Sequence, residues 1–393
     1  MLNPSNAPQL MQKFDYLVIG GGIFGCYAAL FLAGKGAKVA LVEKEDRLFQ
    51  KASLVNQARL HSGYHYPRSI ATAAMSADYN ERFLSEHRPF VNVSFEKYYA
   101  IDRYGSFTDP SQFERFCDYL HIACERVEKH PLFNFNRLEA LYKTSEHSFD
   151  PILLGHYYRE KINAVSAIQL FTNTQIIQST ENGNCWEVLA CEKKLGNNAD
   201  KFHTHSITAP IVINATYAAT NGINKIFGLE HLALTHEIAE IAFVSSNLFT
   251  EKGLTVMDGP FGSIMPYGLS GLLSLSSVAY THHKISYEDT PHFDCQIPED
   301  SNCRPEAPGI CTECIRKPTT NARKMLSQMQ QYFSDSVRFE HLFSYFTIKS
   351  KLKSSHIDDG RPTEIALLHQ KPTFYCLFAG KINSIYEVEK IIQ

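Results

Sequence analysis

The sequence predicts an α/β protein in which a Rossmann-like dinucleotide-binding domain is joined to a smaller α+β domain. Three observations carry that prediction. At 393 residues the chain exceeds what one hydrophobic core ordinarily organises, so two domains are expected. Residues 16–43 spell an apolar strand, a glycine-rich turn, a helix-forming stretch and a second apolar strand that ends on an acid. Residues 231–290, in contrast, read as strand after strand, in HLALTHEIAEIAFV, GLTVMDGPFGSIMPY and GLLSLSSVAY.

Composition removes several function classes. With 44% hydrophobic and 20% charged residues the chain has the balance of an ordinary globular protein. A net charge of −3 leaves no basic surplus for a nucleic-acid partner. No run approaches the roughly 18 apolar residues that a membrane span requires. The opening MLNPSNAPQLMQ has neither the basic nor the apolar region of a signal peptide. Residues 1–13 are therefore expected to form a flexible tail on a cytoplasmic protein.

The N-terminal unit is justified element by element. Tyr16-Leu17-Val18-Ile19 is a short buried strand that runs into Gly20, Gly22 and Gly25, spaced G-x-G-x-x-G. Gly20 permits a tight turn, Gly22 lets the backbone approach a pyrophosphate, and Gly25 lets the helix pack on the strand. Ile23 and Phe24 open that helix, whose unpaired amides and positive dipole end attract the phosphates. Val39-Ala40-Leu41-Val42 forms the second strand and delivers Glu43 and then Lys44. An acid at that place accepts hydrogen bonds from ribose hydroxyls and disfavours a 2′-phosphate, so FAD or NAD is favoured over NADP.

Further elements follow along the chain. ATAAMSADYNERFLSEH reads as a helix and FEKYYAIDRY as a strand. DPSQFERFCDYLHIACERV is an amphipathic helix from an Asp109-Pro110 start, and DPILLGHYYREKINAV is a helix after Asp150-Pro151. AIQLFTNTQIIQSTENGNCWEVLA gives a strand, a turn at Asn182-Gly183 and a returning strand. His236 and Glu237 lie on a strand of the second domain, as site groups or as ordinary strand polar residues. Cys295, Cys303, Cys311 and Cys314 fall in a proline-rich, loop-like stretch. Their final C-x2-C matches half a zinc site, but the spacing is irregular and no metal is expected.

Three downstream blocks separate FAD from NAD. They are NQARLHSGYHYPR at 56–68, ITAPIVINATYAATNGI at 207–223, and the terminal DDGRPTEIALLHQKPTFYCLFAGKINSIYEVEKI. In this order, and with the N-terminal unit, they resemble the D-amino-acid-oxidase-like superfamily of FAD-dependent oxidoreductases, nearest in motif to its glycerol-3-phosphate dehydrogenase and L-2-hydroxyglutarate oxidase branches. The resemblance implies FAD and two interleaved domains. The FAD-binding domain would take residues 14–90, 150–228 and 341–393. The substrate domain, built on a mixed and largely antiparallel sheet, would take 91–149 and 229–340.

The same resemblance assigns residues. HSGYHYP is similar to the segment that lies against the isoalloxazine ring, which brings Leu60, His61 and Ser62 to the cofactor. His61, His65 and Tyr66 become catalytic candidates for proton removal, and Tyr64 a substrate contact. Arg59 steadies the flavin or a substrate anion, or forms an ion pair. VINATYAATNGI places Ala215 and Thr216 near the adenosine and pyrophosphate, with Tyr217 where relatives often have glycine. Lys353 and Arg361 imply an anionic substrate, Lys353 as a catalytic and binding group. FAGKINS resembles an element facing the flavin N1/C2=O edge, which assigns Gly380, Lys381, Ile382, Asn383 and Ser384 to the cofactor. The expected reaction is hydride removal from a CH–OH or CH–NH bond of a small metabolite, with O2 or another acceptor reoxidising the flavin. An amine or amino-acid oxidase, and a flavin-binding protein without turnover, are the alternatives.

Overall fold

The structure is a computed structural model describing residues 11–64, 67, 79–194, 201–297, 302–356, 363–378 and 380–392. Its centre is a six-stranded sheet ordered 168–171, 39–42, 16–19, 211–214, 373–378, 364–370. The first five strands are parallel and the last is antiparallel. Such a sheet is buried on both faces, and Val39–Val42 accordingly is buried at every residue. The helix Ile23–Gly34 and the helix Pro151–Ala164 cover one face, through Cys26, Ala29, Leu32, Leu154 and Tyr158.

A second sheet of nine strands carries the other half of the molecule. Its order is 282–286, 234–246, 273–277, 262–266, 252–257, 96–102, 138–144, 124–126, and the strand Phe339–Leu352 pairs with the far edge of Leu234–Ser246. All its ladders are antiparallel except that between Lys252–Met257 and Glu96–Asp102, so the sheet is mixed and largely antiparallel as expected. Leu234–Ser246 is buried over its first eleven residues because it has partners on both edges. A four-stranded sheet joins 12–13, 201–209, 185–194 and 174–182.

The structure revises three of the sequence expectations. Gln12 and Lys13 pair with Ile207 and Thr208, so the end of the expected tail is sheet. The amphipathic helix runs only from Pro110 to Tyr119, opened by a capping box of Asp109 and Gln112. It buries Phe113, Phe116 and Cys117, then His121 at φ 55° reverses the chain into the strand Cys124–Arg126. The boundary at 341 falls inside Phe339–Leu352, a strand held to Leu234–Ser246 along its full length, so that strand belongs with the large sheet. The terminal FAGKINS element continues as a 3-10 helix, Ile382–Ile392.

Candidate active site

The glycine turn is built by contact. A Cβ on Gly25 would sit 1.9 Å from the Gly20 carbonyl oxygen, so only hydrogen fits where helix meets strand. Gly20 has φ 108°, and a Cβ there would lie 2.7 Å from the Ala215 carbonyl, which seats the turn against the end of Ile211–Asn214. Gly22 is the N-cap of Ile23–Gly34 and offers no capping side chain; the Ile23 amide donates to Ser53 Oγ at 3.0 Å. Glu43 accepts from the Gly21 amide at 2.5 Å and from the Glu45 amide at 2.8 Å, which fixes its carboxylate beside the turn. A helix start with a glycine cap and no acid in its first turn suits an anionic ligand, and these residues fit a dinucleotide pyrophosphate.

From that turn a cavity of about 670 Å³ opens toward the nine-stranded sheet. Gly22, Ile23, Phe24, Arg59, His61, Ala215, Gly380, Lys381 and Ile382 line it, so four sequence-distant segments named from the sequence meet at one space. Behind them, Asn383 Nδ2 donates to the His61 carbonyl at 3.4 Å, tying the terminal element to the 59–62 segment. Ser384 Oγ donates to the Lys381 carbonyl, Thr216 Oγ1 donates to Asn214 Oδ1, and Ser62 Oγ accepts from Asn80 Nδ2 at 2.8 Å. Leu60 is wholly buried in the core beneath the cavity.

Three of the expected site residues lie elsewhere. Tyr64 is a core residue: it is 1% exposed, packs on Tyr99 at 5.6 Å and donates its hydroxyl to the Ala123 carbonyl. Burial pushes its pKa up to about 12. Lys44 donates to the carbonyls of Asn302 and Pro308 and pairs with Glu45, so it anchors the cysteine-bearing segment rather than lining the cavity. Lys353 follows the end of the strand Phe339–Leu352, where the pleat stops; its ammonium points to Asp289 at 4.0 Å and is 43% exposed. His65, Tyr66 and Arg361 lie outside the described residues.

Arg59 resolves as an ion-pair residue that also touches the cavity. Its guanidinium donates to Thr255 Oγ1, Ser263 Oγ and Tyr99 OH, and its Nε stands 3.6 Å from Glu146 Oε2. Tyr99 in turn donates to Glu146 at 2.7 Å. Lys97, 1% exposed, donates to Thr255 Oγ1 from below; burial first and Arg59 second drive its pKa well below the ordinary lysine value. His61 Nδ1 lies 3.9 Å from Glu146 Oε1.

The opposite wall holds residues that sequence reasoning missed. Lys349, Lys351 and His282 line the cavity. Glu237, 5% exposed, stands behind them, 3.0 Å from His282 Nε2 and 3.0 Å from Lys351 Nζ. Burial pushes the Glu237 carboxyl up, but His282 and Lys351 outweigh it and hold the pKa at about 2. Burial likewise lowers His282, more than Glu237 raises it. The two shifts agree if Lys351 keeps Glu237 ionised at neutral pH while His282 stays neutral. His236, beside Glu237 in sequence, faces away and bonds to Ser350 Oγ at 2.7 Å. The alternation in FTIKSKL was the available signal, since it sets Thr347, Lys349 and Lys351 on one face.

Comparison with known proteins accords with this geometry. The pattern of the FAD dependent oxidoreductase family, DAO, matches residues 15–251. The FAD-dependent monooxygenase FPY4 of Fusarium mangiferae is 26% identical over 270 residues, 67% of this chain and 64% of its own length. The FAD-dependent monooxygenase kojA of Aspergillus flavus is 28% identical over 63% of this chain and 57% of its own length. The chain thus spans less than two thirds of these relatives. Among solved structures, glycine oxidase from Geobacillus kaustophilus superposes with a TM-score of 0.67 at 13% identity, covering 96% of this chain and 92% of its own. L-alpha-glycerophosphate oxidase from Mycoplasma pneumoniae, with FAD bound, gives 0.67 at 15% identity over 97% and 94%. At those identities the likeness is one of fold. With the family pattern covering more than half of the sequence, the chain belongs to the DAO family of FAD-dependent oxidoreductases and is a flavoenzyme that binds FAD.

Proposed function

We propose that this enzyme oxidises a CH–OH bond of a small, anionic metabolite. The observation that carries the reading is the composition of the cavity. One end holds the glycine turn and Lys381, and the opposite wall presents Lys349 and Lys351, two cations suited to a substrate carboxylate. FAD, when bound, supplies the two-electron acceptor. The chain's own part is to hold it and to place charge around it. Gly20, Gly22 and Gly25 shape the pyrophosphate seat, with Ile23, Phe24, Glu43, Ala215 and Thr216 around it. Lys381, 8% exposed, is the cation for the flavin edge that gains negative charge on reduction. His61 is the flavin-facing histidine.

The FAD-binding part, in this reading, comprises 14–90, 150–228 and the chain after Leu352. The substrate part comprises 91–149 and 229–352, in keeping with the sheet to which each strand pairs. Two relatives bear the name monooxygenase, a chemistry that draws on an external reductant, and this sets the design of the test.

The test is anaerobic addition of 2-hydroxy acids, amino acids and, separately, NAD(P)H to the FAD-loaded protein, following loss of the visible flavin absorbance. Reduction by a 2-hydroxy acid is expected. Reduction by amino acids alone would make the enzyme an amine oxidase, and reduction by NAD(P)H alone would favour the monooxygenase reading. For His61, the expected outcome of His61→Ala is loss or marked perturbation of the flavin spectrum; normal flavin content and redox behaviour would remove it from the site.

A further inference from the structure

The strand Leu234–Ser246 lies between His282–Ser286 and Phe339–Leu352. Glu237 sits on this middle strand, and its carboxylate reaches diagonally to both neighbours. His282 pairs opposite Ala239 on one side, and Lys351 opposite Thr235 on the other. The result is one buried carboxylate with two nitrogens 3.0 Å from it, on side chains of residues that line the cavity. A carboxylate is costly to bury unless it is paired: Glu237 Oε1 accepts from Lys351 Nζ at 3.0 Å, and Oε2 lies at ion-pair distance from both His282 and Lys351.

That arrangement biases the imidazole. With Nε2 3.0 Å from a carboxylate oxygen, the neutral ring favours its proton on Nε2, which leaves the lone pair on Nδ1. Burial keeps His282 below its ordinary pKa, so the neutral, proton-accepting form prevails at neutral pH. The charged groups that bear on it are Glu237, Lys349 and Lys351.

We propose that His282, oriented by Glu237, is the catalytic residue that accepts the substrate's hydroxyl proton, and that Lys349 and Lys351 seat the carboxylate of a 2-hydroxy acid beside it. The inference rests on the CH–OH reading above. In the step, the substrate O–H bond breaks and its proton passes to His282 Nδ1. The C–H bond breaks, hydrogen and electron pair leaving as hydride to FAD, and a C=O bond forms. A 2-hydroxy acid becomes a 2-oxo acid, and the imidazolium is stabilised by Glu237. Glu237 is a positioning residue, since it acts through His282.

Oxalate is the probe, because it mimics a 2-hydroxy acid whose hydroxyl has lost its proton. Its added negative charge raises the pKa of a neighbouring imidazole, so binding to the FAD-loaded full chain is accompanied by proton uptake. Calorimetric titration in two buffers of different ionisation enthalpy reads that uptake. Close to one proton per oxalate is expected for the native protein above the His282 pKa, and close to none for His282→Gln. Lys351→Met is expected to weaken oxalate by about tenfold, the usual size of one lost charge-assisted hydrogen bond. Equal proton uptake in native and His282→Gln protein, or no oxalate binding, overturns the proposal. Imidazole nitrogen NMR of the native protein needs no variant: the Nε2–H tautomer of His282 is expected, and an Nδ1–H tautomer overturns it.

Turnover separates this inference from the reading beneath it. With a 2-hydroxy acid that reduces the flavin, His282→Gln should slow reduction by about 10²-fold or more and remove the acidic limb of the pH profile. Reduction by the hydroxy acid with an unchanged profile in His282→Gln sinks the inference alone. Hydroxy acids that leave the flavin oxidised, while the oxalate result holds, sink the CH–OH reading and leave the anion seat standing.

Discussion

Lys97 shows how a single residue carries electrostatic information through the site. Its amine lies 4.6 Å over the Tyr99 ring and donates to Thr255, and the guanidinium of Arg59 is a neighbouring cation. Arg59 already pairs with Glu146, so a charged Lys97 would leave an unbalanced buried cation. Its folded pKa is therefore depressed from an unfolded value of about 10.4. For a base so shifted, the unfolded chain binds the extra proton, and stability falls as pH drops below about 10.4 toward the folded pKa. Lys97→Met removes that linkage at similar length. Its melting temperature should gain on the native protein steadily between pH 10 and pH 7, and parallel melting curves across that range would show that Lys97 stays charged. Residues of this kind were not legible in the sequence. FEKYYAIDRY reads correctly as a strand, but nothing local says that its one lysine turns inward beneath Arg59. Lys353 failed for a related reason: strand parity continues through Lys349 and Lys351 and stops with the strand at Leu352.

The glycine turn, an element that was legible, owes that to being local. Its glycines, helix and flanking strands lie within the same 30 residues, so spacing reports most of the packing, while the Ala215 carbonyl that closes on Gly20 is visible only in the fold. The contacts turn this into a sharp expectation. Gly25→Ala puts a methyl 1.9 Å from the Gly20 carbonyl and cannot be absorbed by a side-chain shift, so flavin retention should be lost, read as the ratio of visible to ultraviolet absorbance. Gly34→Ala, in the last turn of the same helix, meets nothing within 4 Å; it should keep its flavin and gain up to about 1 kcal/mol in stability. Equal flavin content in the two variants would dissociate the turn from the cofactor. The turn at Tyr217 is less transparent. Tyrosine there adopts φ 54°, a region costing a non-glycine residue about 1–2 kcal/mol. The hydroxyl offsets it by donating to the Ser350 carbonyl and accepting from the Ser350 amide, both at 3.0 Å, while the ring stacks on Phe378. Tyr217→Phe keeps the strain and loses both bonds, so unfolding by denaturant should show a loss of about 1–3 kcal/mol. The sequence shows a tyrosine where relatives have glycine; its partner, 133 residues away, is visible only in the fold.

At the scale of the whole molecule, the cavity is where the two large sheets become one object. Its walls come from the glycine turn, the 52–61 segment, the Ala215 turn, the strands between Thr255 and His282, the lysine-bearing strand and the terminal element. No one of these segments makes a site, which explains why the sequence revealed the cofactor end and not the opposite wall: the first is one contiguous motif, the second is an assembly of three strands spaced across the chain. A ligand that contacts all of them binds only the folded state, and its binding energy adds to folding in proportion to the logarithm of its concentration over Kd. At a hundredfold excess over Kd that is about 2.7 kcal/mol, a large share of the 5–15 kcal/mol that ordinarily separates folded from unfolded protein. FAD removal should therefore lower the midpoint of thermal unfolding, and added FAD should raise it again with concentration, in a single transition that both sheets share. Gly25→Ala should start at the FAD-free midpoint and fail to respond. A native midpoint indifferent to FAD would mean that the cofactor does not span the cavity, and that the cationic wall belongs to a separate site.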